Sequence, residues 1–579
     1  MPRSAGRDAS KGYQGNLILM NSGPSSRLAN PNAGLSTTPS TLHVDIRRFP
    51  WINRLAADYA FDAARLAPFF AGGVRDADAW RATIARVQAY PRRRDDVVTM
   101  LAAQQGRRGA PAAAADATAM LRDPRTVAVV TGQQAGLFGG PLYTVLKALS
   151  AVRQAEVVSA TYSVPAVAIF WVDAEDHDWA EVNACGVLDG DTALRTVALD
   201  AAAAPPPGRP IAQVQLGSFI EGALAAIEAS LAPSEFTPEL VASLRQAYAP
   251  GHGMADAFCR WLEALLGPRG LIVHDASDPA AKPLVAPLFA REIERAGHTV
   301  QCAIDAGQAL TALGYHTQVT PQPGSAAVFS TRNGRVAIRT EDDRLLVGDE
   351  RETREAVAAR ALAHPEEFSP NVLLRPLVQD TLFPTVCYVA GPSELAYMAQ
   401  LKQVYEAFGV PMPLVQPRAS ATLIDANAAR FLARGDVAFE SLHAQDESAL
   451  NALLAAALPP SIDTAVEGVL RAVEERMNTL AREVTLVDAT LEGAVRSVVG
   501  RMQDDVKKLQ AKILQAAKRK DDTLRRQFKH AQAQAFPGGT PQERAVGTIS
   551  FLNKYGPSLV DRLAEGLTLK PGIHTVLTP

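Results

Sequence analysis

Three short stretches of this chain carry the residue types that anion binding and acid–base chemistry need. The first is Thr131-Gly132-Gln133-Gln134-Ala135-Gly136-Leu137-Phe138-Gly139-Gly140-Pro141. Glycines let backbone amides approach an anion, and a helix N-terminus adds a favourable dipole. Gly132, Gly139 and Gly140 are therefore expected to cradle an anion, with Thr131, Gln133 and Gln134 beside them to orient a substrate. The spacing is neither the GxGxxG of dinucleotide sites nor a phosphate-loop GxxxxGK pattern, and no acidic residue closes a strand about 20 residues further on. A glycine-rich turn that only lets a helix pack is the plainer alternative, but two glycine clusters and two glutamines exceed what a turn requires.

The second stretch is Glu175-Asp176-His177-Asp178, with Asn183 and Cys185 just downstream. Carboxylates beside a histidine orient it, tune its basicity or bind a divalent cation. Asp176 and His177 are the expected acid–base pair, and Glu175 and Asn183 are expected to bind substrate or nucleotide. His177, Asp178 and Cys185 also have the residue types of a transition-metal site, and a solvated acidic loop capping the next helix would look the same; no metal is assigned. The third stretch holds Arg375, Gln379 and Asp380, then Tyr388, Gly391 and Glu394. Arg375 can pair with a substrate carboxylate in a bidentate fork. Gln379, Tyr388, Gly391 and Glu394 complete the expected binding set, although a glutamate at a helix start is more often a cap. Tyr397, Gln400 and Lys402 fall on the helix that follows, with Lys402 reading as a surface lysine.

The elements around these stretches form a pattern. Thr126 to Val130 is a short β-branched apolar run, the kind that is covered on both faces of a sheet. Pro141 is well placed to open a helix, and Leu142, Val145, Leu146, Leu149 and Val152 follow at helical spacing. Pro165 to Val172 reads as the next strand. Strand, loop, helix, strand is a βαβ unit, so the fold class is α/β with a Rossmann-like parallel sheet, and loops at the carboxyl ends of its strands are where ligands bind. Leu271 to His274 and Val386 to Val389 are further strands.

The remaining organisation follows from composition. Residues 1–41 are polar and without hydrophobic period, a disordered extension; 42–122 is helical. The Rossmann-like core spans 42–425, with insertions near 200–255 and 305–365, the second containing strands around an Asn333-Gly334 hairpin turn. Residues 426–536 are helical, with a heptad seam from about 463: Val466, Leu470, Val473, Met477, Leu480, Val484, Val487 and Leu491. The next set, Val495, Val498, Met502, Val506, Leu509 and Ile513, is offset, which means a stutter or the turn of a helical hairpin. As one straight helix it would be on the order of 100 Å long, and such a seam needs a partner, its own arm or a second subunit. Residues 537–579 read as a helical tail packing on the core.

The chain has 579 residues and a net charge of −3, so no basic field points to nucleic acid or anionic membrane. No apolar run approaches the roughly 20 residues of a membrane-spanning helix, and Asn16 to Met20 is too short for a signal-peptide core, so a cytoplasmic location is expected. Its four cysteines are widely spaced, without a CxxC pair, which argues against a disulfide framework.

Several strings resemble the cysteine-ligase family of bacillithiol biosynthesis, BshC: VVTGQQAGLFGGPLYTVLKALSAV (129–152), FWVDAEDHDWAEVN (170–183), HDASDPAAKPL (274–284), GYHTQV (314–319) and the long run from Pro370 to Arg418. The resemblance covers about residue 43 onward. It implies a Rossmann-like core, a C-terminal coiled coil and a homodimer formed through that coil. The implied reaction joins the carboxyl of L-cysteine to the amine of glucosaminyl malate. Such a bond needs an activated carboxyl, so ATP, with Mg²⁺, is the expected co-substrate; adenylate and acyl phosphate both stay open. A nucleotide-binding transferase of other specificity and a non-catalytic coiled-coil scaffold are the alternatives.

Overall fold

The computed structural model describes residues 41–579 apart from 207, 333, 436, 457, 458, 489 and 521. The expected extension at 1–41 therefore lies outside the described residues except for Thr41, and so does Asn333 of the expected hairpin turn. Thr41 itself opens a strand, Thr41–Asp45.

Five parallel strands form the central sheet in the spatial order Leu414–Pro417, Thr385–Ala390, Val127–Gln133, Ala166–Val172, Leu271–Asp275. All but the Leu414–Pro417 edge strand were expected from their apolar runs. The runs are continuous because both faces are covered. Val127, Val129, Phe170 and Val172 point into one core layer with the helix Leu142–Tyr162. Their neighbours Ala128, Val130, Ile169 and Trp171 point into the other, as a two-residue side-chain period dictates. The first three strands in sequence run outward to one side, and the Thr385–Ala390 strand returns on the other side of the first. That reversal creates a crevice at the carboxyl ends of the strands.

The 200–255 segment carries the helices Phe219–Ser230 and Thr237–Ala247, whose apolar faces join the first core layer. The second expected insertion is a five-stranded antiparallel sheet in which Ser325–Ser330 pairs with Val336–Glu341. The segment expected to be helical carries Arg54–Phe61, Ala77–Ala89, Arg94–Arg108 and Ala112–Met120.

The offset between the two heptad sets is the turn of a hairpin, not a stutter. Helices Pro460–Val484 and Leu491–Lys520 pack on each other. One partner covers the seam only in part: Leu480, Met502 and Leu509 remain exposed, as do Leu486 and Val487 at the turn. Helix Asp522–Ala535 then returns to the body, burying Phe528, Ala531 and Ala535 against Phe431 and Phe439. No single helix among the described residues is long and apolar enough to cross a membrane.

The tail is not purely helical. After helices Gln542–Ala545, Thr548–Tyr555 and Leu559–Gly566 it ends in the strand Ile573–Leu577, which lies between Thr41–Asp45 and Ser420–Leu423. Glu543 fastens this tail. Its carboxylate accepts Arg418 Nη1 at 3.0 Å and Nη2 at 2.6 Å, Ser420 Oγ at 3.1 Å and the Ala421 amide at 3.1 Å. Burial would raise the Glu543 carboxyl, but the Arg418 charge and these bonds outweigh it and lower it to about 2. Its contribution is therefore fully present above the ordinary carboxyl range and lost as pH falls through about 2. Glu543→Gln is expected to cost about 3 kcal/mol of stability at neutral pH, since it strands a buried guanidinium; urea unfolding of the two proteins measures it.

Candidate active site

A cleft of about 540 Å³ opens at the switch point of the sheet. Its floor is made by strand ends and the helices they feed. Lys147, five residues into an otherwise apolar stretch of the Leu142–Tyr162 helix, reaches inward and is almost fully buried. Its ammonium donates to the Gly132 carbonyl, to Gln133 Oε1 at 3.3 Å and to Glu394 Oε2 at 2.6 Å. Glu394 in turn accepts the Gly391 amide at 2.7 Å and the Tyr388 hydroxyl at 2.6 Å. It is thus both a helix cap and a wall of the cleft. Burial pulls the Lys147 ammonium down. Burial would push the Glu394 carboxyl up, but the Lys147 charge and the hydrogen bonds leave it below the ordinary value.

One side of the cleft is acidic. Asp173 follows the last residue of the Ala166–Val172 strand, and its carboxylate has no hydrogen-bond partner among the described residues. Burial raises it to about 6, against the lowering charge of Arg375 and with Asp176 and Glu175 adding to the rise. Asp176 accepts from Gln134 Nε2 and from the His177 amide at 2.7 Å. His177 is half exposed at the mouth, and its Nδ1 faces Arg335 Nη1 at 3.1 Å. Glu175 is taken up by Lys282. Glu181, which is exposed, also lines the cleft without an ion-pair partner among the described residues, so Asp173, three residues upstream of the expected pair, is the deeper of two unpaired carboxylates.

The other side is basic. Arg375 donates to Tyr397 Oη and Gln379 Oε1, each at 3.2 Å, and lies 5.8 Å from the ring centres of both Trp171 and Tyr388. Arg418 and Arg544 flank the Tyr143 ring at 5.5 and 5.8 Å. Arg375 and Arg544 have no carboxylate partner among the described residues. Three buried polar atoms of the lining also lack a partner there: Trp171 Nε1, Gln134 Oε1 and Arg335 Nε. Unpaired buried polar atoms are costly, so the cleft suits a polar occupant, and the unpartnered guanidiniums suit an anionic group on their side of it.

Gly132, Gln133, Gln134, Glu175, Asp176, His177, Arg375, Tyr388, Gly391 and Glu394 converge on this cleft as expected from sequence. Five expected residues do not line it. Thr131 is buried and its hydroxyl donates to the Val389 carbonyl, tying two strands together. Asn183 ends the short helix Trp179–Val182. Gln379 is buried behind Arg375. The anion cradle expected at Gly139 and Gly140 does not form, because their amides are already used: Gly139 donates to Tyr248 Oη at 3.0 Å and Gly140 to the Leu137 carbonyl at 3.0 Å. Gly132 lacks a Cβ for a different reason, since one would sit 2.7 Å from the Trp171 carbonyl of the neighbouring strand. Cys185 is buried away from His177, and no group of three His, Cys, Asp or Glu among the described residues is arranged for a metal ion. Sequence reading passed over Lys147, Asp173, Arg335, Arg418 and Arg544. Only Lys147 left a signal, the one charge in the first half of its helix, residues 142–152.

The loop glycines are thus packing elements. Gly139 has φ of +87°, and a Cβ there would lie 2.1 Å from the Trp261 ring. Gly139→Ala is expected to lower stability by about 2 kcal/mol or more, read by urea unfolding, whereas a cradle role would weaken ligand binding at unchanged stability.

Residues 42–419 match the family described as "Bacillithiol biosynthesis BshC, N-terminal Rossmann-like domain", and residues 421–579 match "Bacillithiol biosynthesis BshC, C-terminal coiled-coil domain". A protein of Koribacter versatilis named "Putative cysteine ligase BshC" is 35% identical over 90% of this chain and 97% of its own length. Those of Salinibacter ruber and Chlorobaculum tepidum, with the same name, are each 34% identical, over 90% and 77% of this chain and 96% and 82% of their own lengths. With both of its domains matched, the chain belongs to the BshC family of bacillithiol biosynthesis.

Proposed function

We propose that this protein is a cytoplasmic ligase that forms the amide between the carboxyl of L-cysteine and the amine of glucosaminyl malate, with ATP activating the carboxyl. The observation that carries this reading is the division of the cleft, an unpaired, half-buried Asp173 on one side and the unpaired guanidiniums of Arg375 and Arg544 on the other. Both substrates carry carboxylates, and the activated intermediate adds phosphate; guanidiniums suit all of these. The acceptor enters as an ammonium and must lose a proton before its nitrogen attacks the activated carbonyl. Asp173 takes that proton, the new C–N bond forms, and the phosphate or AMP leaves with the bonding electrons. Asp176 and His177 shape the mouth. ATP would enter as its Mg²⁺ complex, the ion carried on the nucleotide phosphates, which is its usual way of binding. The half-covered heptad seam supports a homodimer through the hairpin, with a second copy covering the exposed Leu480, Met502 and Leu509.

Purified protein incubated with cysteine, glucosaminyl malate and ATP-Mg²⁺ is expected to yield bacillithiol by mass spectrometry, with ADP or AMP identifying the activated species. Absence of product with every nucleotide would overturn the ligase reading. Asp173→Asn is expected to lower kcat by roughly a hundredfold or more. In the parent enzyme, activity should fall as pH drops through about 6, where the Asp173 carboxylate is protonated. An Asp173→Asn enzyme of undiminished kcat would move the base elsewhere.

A further inference from the structure

Behind Arg375 lies a line of buried polar groups that never reaches the cleft. Arg375 and Gln379 are four residues apart on the helix Arg375–Leu382 and so share a face. Gln379 Oε1 accepts Arg375 Nη1 at 3.2 Å, and Gln379 Nε2 donates to Asp380 Oδ1 at 2.8 Å. Asp380 Oδ2 accepts the Tyr405 hydroxyl at 2.6 Å from the neighbouring helix Lys402–Phe408. Gln379, Asp380 and Tyr405 are each about 1% exposed.

The two ends of a glutamine amide have nearly the same shape, so only its partners decide which way it faces. Burial raises the Asp380 carboxyl to about 6, against the hydrogen bonds it accepts, so at neutral pH it is ionised and can only accept. It therefore holds the Gln379 NH₂ group toward itself, which turns the oxygen toward the guanidinium. Reversed, the amide would present N–H donors to a group that is itself all donors, and Arg375 would lose its hold on this side. We propose that Asp380 is a positioning residue for the cleft, fixing the Gln379 amide so that its oxygen anchors the Arg375 guanidinium between Trp171 and Tyr388. This rests on the reading of Arg375 as the ligand of a substrate carboxylate.

A polarity swap tests it. In Asp380→Asn, Tyr405 keeps the Asn oxygen and the new NH₂ group faces Gln379, which must then turn its own NH₂ toward Arg375. Adding Gln379→Glu restores the order of donors and acceptors with the total charge unchanged. Arg375→Lys first identifies which substrate's KM depends on the guanidinium fork. Asp380→Asn is expected to raise that same KM roughly tenfold, the value of about one charged hydrogen bond, with kcat changed by less than about threefold. In the Gln379→Glu/Asp380→Asn double variant the new amide at position 380 again faces an acceptor, so Arg375 is expected to regain its parent position in a crystal structure, which a purely packing role for Asp380 would not give; KM is not expected to recover, because the new carboxylate at position 379 pairs with the guanidinium. An unchanged KM in Asp380→Asn, or an Arg375 as displaced in the double variant as in the single one, overturns the proposal. Crystal structures of the ligand-free parent and Asp380→Asn proteins supply a readout independent of the substrate. Displacement or disorder of Arg375 in the variant supports the relay even if the parent proves inactive with glucosaminyl malate; an unmoved, ordered Arg375 refutes it.

Discussion

The buried ion pair of Lys147 and Glu394 is the constraint on which the cleft depends. It joins the helix after the first sheet strand to the helix after the returning strand, across the point where strand order reverses. A buried pair gains little net stability, because desolvation offsets attraction. Here the cost is held down by complete satisfaction. The three N–H donors of Lys147 meet three acceptors, and both oxygens of Glu394 are occupied. What the pair supplies is registry: the Gly132 carbonyl, Gln133, Gly391 and Tyr388 are all fixed relative to one ammonium. The backbone ladder between Val127–Gln133 and Thr385–Ala390 already aligns these segments, and the ion pair makes the side chains at their ends one wall.

With that wall fixed, the chemistry of the cleft follows from which charges are already spent. Glu175 is neutralised by Lys282, Arg418 by Glu543, and Glu394 by Lys147. Asp173, Glu181, Arg375 and Arg544 are left without such partners among the described residues. Charges used internally are scaffold and unspent ones are available to ligands, so counting pairs separates the two roles where proximity to the cleft alone does not. The same count sets Asp176, whose oxygens already accept from Gln134 and its own loop, apart from Asp173.

Much of the fold was legible because the sheet is doubly covered. In a chain with βαβ spacing, continuous apolar runs as short as 126–130, 165–172, 271–274 and 386–389 fit strands buried on both faces and little else. The loops at their carboxyl ends held ten residues that do meet in the cleft. The strand Thr41–Asp45 was not legible, since its partner Ile573–Leu577 lies at the far end of the described chain and its own pattern, with only Val44 buried, carries no alternation. Gly139 and Gly140 misled because glycine serves close backbone approach to a ligand, close approach of a ring and a positive φ equally well; the Trp261 ring lies against Gly139, and Gly140 has φ of +66°. Arg335, Arg418 and Arg544 come from three distant segments, and an isolated arginine in sequence is indistinguishable from a solvated one. Asp173 was hidden by richer neighbours: the cluster at 175–178 looked more reactive because it is more charged, yet Glu175 and Asp176 are taken up by Lys282 and Gln134, and the carboxylate at the strand end is left without a partner, as is the more exposed Glu181.

The coiled-coil region is not an appendage to this chemistry. Helix Asp522–Ala535 returns from the hairpin and is clasped at its foot by Asp425, which accepts His530 Nε2 and Gln534 Nε2, each at 2.8 Å. The hydrogen bonds of Asp425, led by its backbone cap to Ala428, overcome the effect of its burial and lower its carboxyl to about 2. Gln534 passes the connection on, its carbonyl accepting Gln542 Nε2 at 2.8 Å while Gln542 also brackets both backbone groups of Leu423. The next two residues are Glu543, which holds Arg418, and Arg544, which stands unpaired in the cleft. The foot of the hairpin is therefore linked to a cleft guanidinium through side chains that are nearly all buried and hydrogen-bonded. A hairpin free to swing would have to break this chain of bonds before it moved Arg544, so the geometry of the cleft is set in part by how the coiled coil is seated on the body.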